Sequence, residues 1–159
     1  MAGKILIFGA TGSVGSSLTK LYSNESDKIH LIGKNDEEVG NLSKEVNCSF
    51  SVADVTDQNF IEKISDDLKN EDINGIAYCI GSIDLKPINL VTKKDFLKSL
   101  ELNFFPIIEI IKKFKENLKK NKSSVVVFST VAVKQGFPNH SIISPVKASL
   151  EGLTVSLAA

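Results

Sequence analysis

Short, uninterrupted apolar runs recur along this chain, and segments of helical spacing separate them. The runs are KILIFG (4–9), KIHLIG (28–33), CSFSVA (48–53), INGIAYCIG (73–81) and SVVVFST (124–130). A strand with one face in water alternates apolar and polar residues. A strand covered on both faces does not, so these runs read as inner strands of a parallel sheet. Spacing close to 3.6 begins near Ser13, Asp36, Asp57 and Lys93. Strand, helix, strand repeated in this way predicts right-handed βαβ crossovers and an α/β, doubly wound parallel sheet of about five strands with flanking helices. No repeat, low-complexity tract or proline-rich linker interrupts the pattern, and 159 residues suit one domain, 1–159.

Charge and composition narrow the partners. Lys+Arg and Asp+Glu are both 19, so nothing global points to nucleic acid or to an anionic membrane surface. No apolar stretch approaches the roughly 18–20 residues that span a bilayer. The N-terminal ILIF is too short for a signal-peptide core. Cys48 and Cys79 lie far apart, each in an apolar run, and fit neither a metal pair nor a disulfide framework. The expectation is a cytoplasmic chain with buried, reduced thiols, no metal site, no membrane and no nucleic-acid partner.

The longest helical pattern covers roughly 93–120. Phe96, Leu100, Asn103, Ile107, Ile111, Phe114 and Leu118 fall on one stripe, with Leu97, Phe104, Phe105, Ile108 and Ile110 beside it. One sheet face hides only the first stripe, so the second calls for a cover: a second copy in a homo-oligomer, or a neighbouring helix of the same chain. Pro106 lacks an N–H and would clash with the carbonyl of Leu102, which predicts a kink near Asn103. The following lysines (112, 113, 115, 119, 120, 122) suit the negative end of the helix and read as a solvated face.

FGATGSVGSSL follows the first strand and opens the first helix, with Gly9, Gly12 and Gly15 spaced G-x-x-G-x-x-G. Glycines here permit a tight turn and close approach of a pyrophosphate, and the helix N-terminus supplies amides and positive potential. Nucleotide binding is the expectation; a tight turn that packs helix on strand is the plainer alternative. After the second strand comes IGKND, where an NAD site usually places an acid on the ribose. Lys34 stands there instead and could meet a 2′-phosphate, which favours NADP over NAD. Asp36 is close enough to keep NAD open, and Lys34 can also be read as a loop lysine.

Taken in order, the glycine loop, ADVTD, YCIGS, LELNFFP, VVVFSTVAV and VKASLEGLTVSLA resemble the short-chain dehydrogenase/reductase family over nearly the whole chain. The resemblance implies a Rossmann-like NAD(P) site in which Gly9, Thr11, Gly12, Ser13, Val14 and Gly15 meet the phosphates. It places Asp54 and Val55 at the adenine and Gly81 beside the cofactor. Asn103 would support a proton-relay water, Thr130 would orient a substrate carbonyl, and Lys147 would bind the nicotinamide ribose. The reaction implied is hydride transfer between the cofactor and a small carbonyl/alcohol substrate.

Four residues before Lys147, where the family has its tyrosine, stands Ile143, and the count of thirteen from Thr130 lands on the same position. Isoleucine cannot give or take a proton. Tyr22 and Tyr78 lie elsewhere; His140 and Ser144 are the nearby groups that could partly substitute. The usual N-N-A-G of the fourth strand is Y-C-I-G, and the usual serine is Thr130. The chain also stops at Ala159 with no helix-ending glycine, where the resemblance implies further helix, strands and a substrate-closing loop, so a fragment of a longer domain is expected. The alternative to an active oxidoreductase is a nucleotide-binding relic or a partner subunit without activity of its own.

Overall fold

The computed structural model describes residues 3–68 and 71–158. Strands are β1 (Lys4–Phe8), β2 (Ile29–Gly33), β3 (Ser49–Val52), β4 (Ile73–Tyr78) and β5 (Ser124–Val127). Helices are α1 (Ser13–Leu21), α2 (Asp36–Val46), α3 (Phe60–Leu68), α4 (Lys93–Asn103), α5 (Phe105–Asn121) and α6 (Ile143–Leu157). The sheet order is β3-β2-β1-β4-β5, and β1 pairs in parallel with both β2 and β4. This is the five-stranded, Rossmann-like α/β sheet that the apolar runs imply. The inner strands show why: Leu6, Ile7, Phe8, Leu31 and Ile32 are all fully buried. Val39, Leu42 and Val46 of α2 pack against Ile7, Ile29 and Leu31.

The chain divides into two compact units. The first runs to Ile80 and resumes over Glu109–Val126; the second takes Gly81–Ile108 and the chain from Val127 onward. In the first, a polar line crosses the sheet edge. His30 on β2 pairs in register with Ser49, and its ring lies 2.9 Å from the Ser49 hydroxyl and 2.8 Å from that of Ser51. Ser51 donates to the Asp67 carboxylate on α3. A carboxylate only accepts, so the order is fixed: Ser49 O–H to Nδ1, Nε2–H to Ser51 Oγ, Ser51 O–H to Asp67. Burial holds the ring neutral and lowers its pKa to about 4.

The region 93–121 is two helices, not one kinked helix. Phe104, at φ −130° and ψ −58°, ends α4, and Pro106 becomes the second residue of α5, where no intrahelical amide is needed. The break resets the helical phase. Ile107, Ile110 and Phe114 are buried in α5, whereas Ile111 is half-buried, so Ile110 belongs to the inner stripe and Ile111 to its margin. Leu97 and Phe105, placed on the second stripe, are exposed. Thr92 caps α4 in a reciprocal box with Asp95. The third helix begins at Phe60 rather than near Asp57, because Asp57–Asn59 form a turn first. Cys48 and Cys79 are free thiols, half-buried rather than fully buried. The α5 lysines and Lys122 are exposed, with Lys112 and Lys120 paired to Glu109 and Asp72. Among the described residues no helix is long and apolar enough to cross a membrane.

Candidate functional site

In the first unit, β1 ends at Phe8 and the chain turns at Gly9, whose φ of +73° favours glycine. The Gly9 and Ala10 amides donate to the Ile32 carbonyl at 2.9 and 3.1 Å, which ties the turn to β2. Gly15 is required for a different reason: a Cβ there would lie 2.2 Å from the Gly9 carbonyl oxygen, so helix and turn meet backbone to backbone. Gly12 is the N-cap of α1 and brings no side-chain acceptor, and the first turn holds no acid. The leading amides of α1, at Ser13, Val14 and Gly15, are thus left for an anion. Ser13 and Val14 are exposed, Thr11 half-buried and Gly15 buried.

Lys34 is exposed just past β2. Asn35 caps α2 by accepting from the Glu38 amide. Asp36 opens that helix with Glu37 and Glu38 beside it. Acids in a first helical turn complement the macrodipole, so Asp36 has a structural reason to be where it is. Asp54 accepts from the Thr56 amide at 3.0 Å and from its hydroxyl at 2.7 Å. These bonds, the backbone one foremost and with Lys34 adding its charge, hold the carboxyl below the usual aspartate range. Val55 beside it is buried.

In the second unit, three predicted residues converge. A Cβ on Gly81 would sit 3.2 Å from Asn103 Oδ1 and 3.4 Å from Lys147 Nζ, so both polar groups border the space that this glycine leaves open. Asn103 is the last residue of α4 and fully buried; its Nδ2 donates to the Ser99 carbonyl at 3.0 Å. Its Oδ1 is buried with no partner among the described residues. Ser99 escaped notice in the sequence, although its place four residues before Asn103 is the spacing that would have shown it. Lys147, on α6, is 8% exposed, and burial lowers its pKa from the ordinary lysine value. A buried acceptor without a partner among the described residues, with the Lys147 ammonium and a glycine beside it, fits a polar ligand better than it fits a sealed core.

Thr130 caps a short helical turn, its Oγ1 accepting from the Ala132 amide at 3.3 Å. Ser144 donates to the Ala132 carbonyl at 2.8 Å, which fastens α6 to that turn. Ile143, one helical turn before Lys147, is 1% exposed. Tyr22 caps the end of α1, and Tyr78 is buried at the end of β4 with its hydroxyl pKa pushed up by burial. Among the described residues no group of three or more His, Cys, Asp or Glu is gathered to hold a metal.

A family model described as enoyl-(acyl carrier protein) reductase matches residues 9–159. The chain is similar to a serine 3-dehydrogenase of Agrobacterium fabrum, 27% identical over 99% of this chain and 65% of that one. It is also similar to a 3-oxoacyl-[acyl-carrier-protein] reductase of Rickettsia typhi, 27% identical over 96% of this chain and 64% of the relative. It thus spans slightly less than two thirds of the length of these curated relatives. A short-chain dehydrogenase/reductase from Saccharomyces cerevisiae superposes with a TM-score of 0.90 at 21% identity, over 98% of this chain and 65% of the other. A short-chain dehydrogenase from Streptomyces avermitilis gives 0.89 at 20%, over 99% and 60%. At these identities the superpositions speak for the fold.

Proposed function

This chain belongs to the short-chain dehydrogenase/reductase family, and on that premise we propose that it binds NADP(H) and serves hydride transfer between a carbonyl and the corresponding alcohol. The observation that carries the reading is at Gly81: the buried Asn103 Oδ1, which has no partner among the described residues, with the Lys147 ammonium beside it. When bound, the cofactor would supply the hydride donor or acceptor.

The chain's own residues divide the remaining work. The α1 amides and the turn from Gly9 to Gly15 would hold the pyrophosphate, with Thr11 at the rim. Lys34 would meet the 2′-phosphate, which favours NADP over NAD, and Asp54 and Val55 would border the adenine. Lys147 would donate to the ribose hydroxyls. Asn103 Oδ1 would accept from a water or hydroxyl. Thr130 would donate to the substrate oxygen and help orient it. NADPH titrated into the protein should enhance its fluorescence saturably, and Lys147→Ala should weaken binding by about tenfold or more, as loss of a charge-assisted bond requires. No binding at millimolar cofactor would refute the reading.

Ile143 favours a second reading. Reduction or oxidation moves a proton at the substrate oxygen, and this buried isoleucine cannot carry it. Saturable NADPH binding without turnover across ketones and aldehydes would identify a nucleotide-binding chain that does not catalyse. Turnover that is lost in Lys147→Ala would support the oxidoreductase.

A further inference from the structure

The polar line at the β3 edge ends on a hydroxyl that faces solvent. Ser49 is exposed, and its O–H donates at 2.9 Å to Nδ1 of His30, a ring only 3% exposed. On the far side of the ring, Nε2–H donates to Ser51 at 2.8 Å, and Ser51 donates to the Asp67 carboxylate. Fastening β2, β3 and α3 together is the plainer role of this line, and Ser51 and Asp67 suffice for it. What Ser49 adds is an accessible oxygen in reach of a neutral base whose tautomer a third group fixes, the arrangement that activates a nucleophile.

The strand edge supplies two further parts. Among the described residues β3 has a single neighbour in the sheet, β2. The Ala53 amide donates to the Gly33 carbonyl. Amides alternate along a strand, so those of Ser51 and Ser49 also face β2, and those of Phe50 and Val52 face outward. The Phe50 amide, next in sequence to Ser49, is thus turned to the open edge, where it can receive an oxyanion. A cavity of about 510 Å³ adjoins it, lined by Phe50, Ser51, Val52, Lys63, Asp66 and Asp67. Lys63 is paired with Asp57, so the two acids give the cavity a negative cast that suits an uncharged acyl group and repels a carboxylate.

We propose that Ser49 is a nucleophile, activated by His30, that takes the acyl group of uncharged esters with a good leaving group. The Ser49 O–H bond breaks and its proton passes to Nδ1 while Oγ bonds to the acyl carbon. The bond from that carbon to the leaving oxygen then breaks, the leaving group keeps the electron pair, and the imidazolium gives its proton to water. Nothing is oxidised or reduced, and the step is independent of the cofactor reading. Ser51 and Asp67 are positioning residues: they hold the proton on Nε2 and leave the Nδ1 lone pair to Ser49.

The groups around the ring set its pH response. Burial lowers its pKa to about 4; Asp67 on α3 opposes that shift and Lys4 on β1 adds to it. So weak a base serves only good leaving groups, but it stays neutral in mild acid, where an ordinary histidine is charged.

The full chain and p-nitrophenyl acetate test this at pH 5.5, where an ordinary amine is protonated and unreactive. A burst of p-nitrophenol approaching one equivalent should appear, with the acetyl group mapped to Ser49 by peptide mass. Between pH 7.5 and pH 5.5 the acylation rate should change by less than about twofold, since His30 stays neutral throughout. Ser49→Ala, at an exposed position, should fold normally and lose the burst, and His30→Gln should slow acylation by about a hundredfold. Nitrogen NMR should show the Nε2–H tautomer in the wild type and a mixture in Ser51→Ala, with acylation slowed. A burst that survives Ser49→Ala, acetyl found only on other residues, or a wild-type Nδ1–H tautomer overturns the inference. So does a rate that falls off with the midpoint of an ordinary histidine. Should His30→Gln fail to fold, the Ser49→Ala comparison and the pH profile still decide.

Discussion

Lys147 is a largely buried ammonium with a lowered pKa whose cause is desolvation. The unfolded chain therefore binds the proton more tightly than the folded one. Stability rises with pH between the lowered folded value and 10.5, and the penalty is fully present below that window. Lys147→Met should accordingly raise the thermal midpoint at pH 7, with the gain fading above pH 10.5, while NADPH binding is lost; equal midpoints at pH 7 would show that the charge costs nothing. Gly15 is set by contact rather than charge. Gly15→Ala would press a methyl into the Gly9 carbonyl, and urea denaturation should register a loss of about 1–3 kcal/mol. The glycine spacing was legible because the turn is local. The partnerless Oδ1 of Asn103 was not, because it depends on Gly81 and Lys147, which the sequence holds far apart.

Among the elements, the inner strands were the easiest to read, since parallel pairing buries both faces and leaves unbroken apolar runs; β3 and β5, read as buried in the same way, lie at the sheet edges with much of their surface exposed. The helix at 93–121 was the hardest. The sequence keeps an acceptable helical phase through Phe104, and only the backbone there reveals that two helices meet. Pro106 gave the correct neighbourhood but the wrong severity. The capping box of α4 is a separate test of how this element is held. Thr92 and Lys86 both bind Asp95, which keeps that carboxyl down at about 2, the Lys86 bond contributing most. Thr92→Ala should lower stability by about 1 kcal/mol in chemical denaturation, and Thr92→Ser should recover most of it.

For the molecule as a whole, His30 predicts the response to acid. Below pH 6.5 the unfolded chain takes up a proton that the folded ring refuses until about 4. Stability should fall across that window by roughly 3 kcal/mol, and the fall should flatten in His30→Gln, measured by urea midpoints from pH 7 to pH 4. This line of side chains was invisible in the sequence because residues 30, 49, 51 and 67 meet only through parallel strand order. The division into two units was equally hidden, as no linker composition marks it. In the oxidoreductase reading, NADPH at a hundredfold over its dissociation constant should add about 2.7 kcal/mol to the folded state. Gly81 supplies the reference for that measurement. Its missing side chain leaves room beside two polar groups, and a methyl would fill this room at 3.2 and 3.4 Å from them. Gly81→Ala is thus a stopper made of one carbon: Asn103 must yield slightly to the methyl, so the melting curve without ligand should fall a little, while the response to NADPH should vanish.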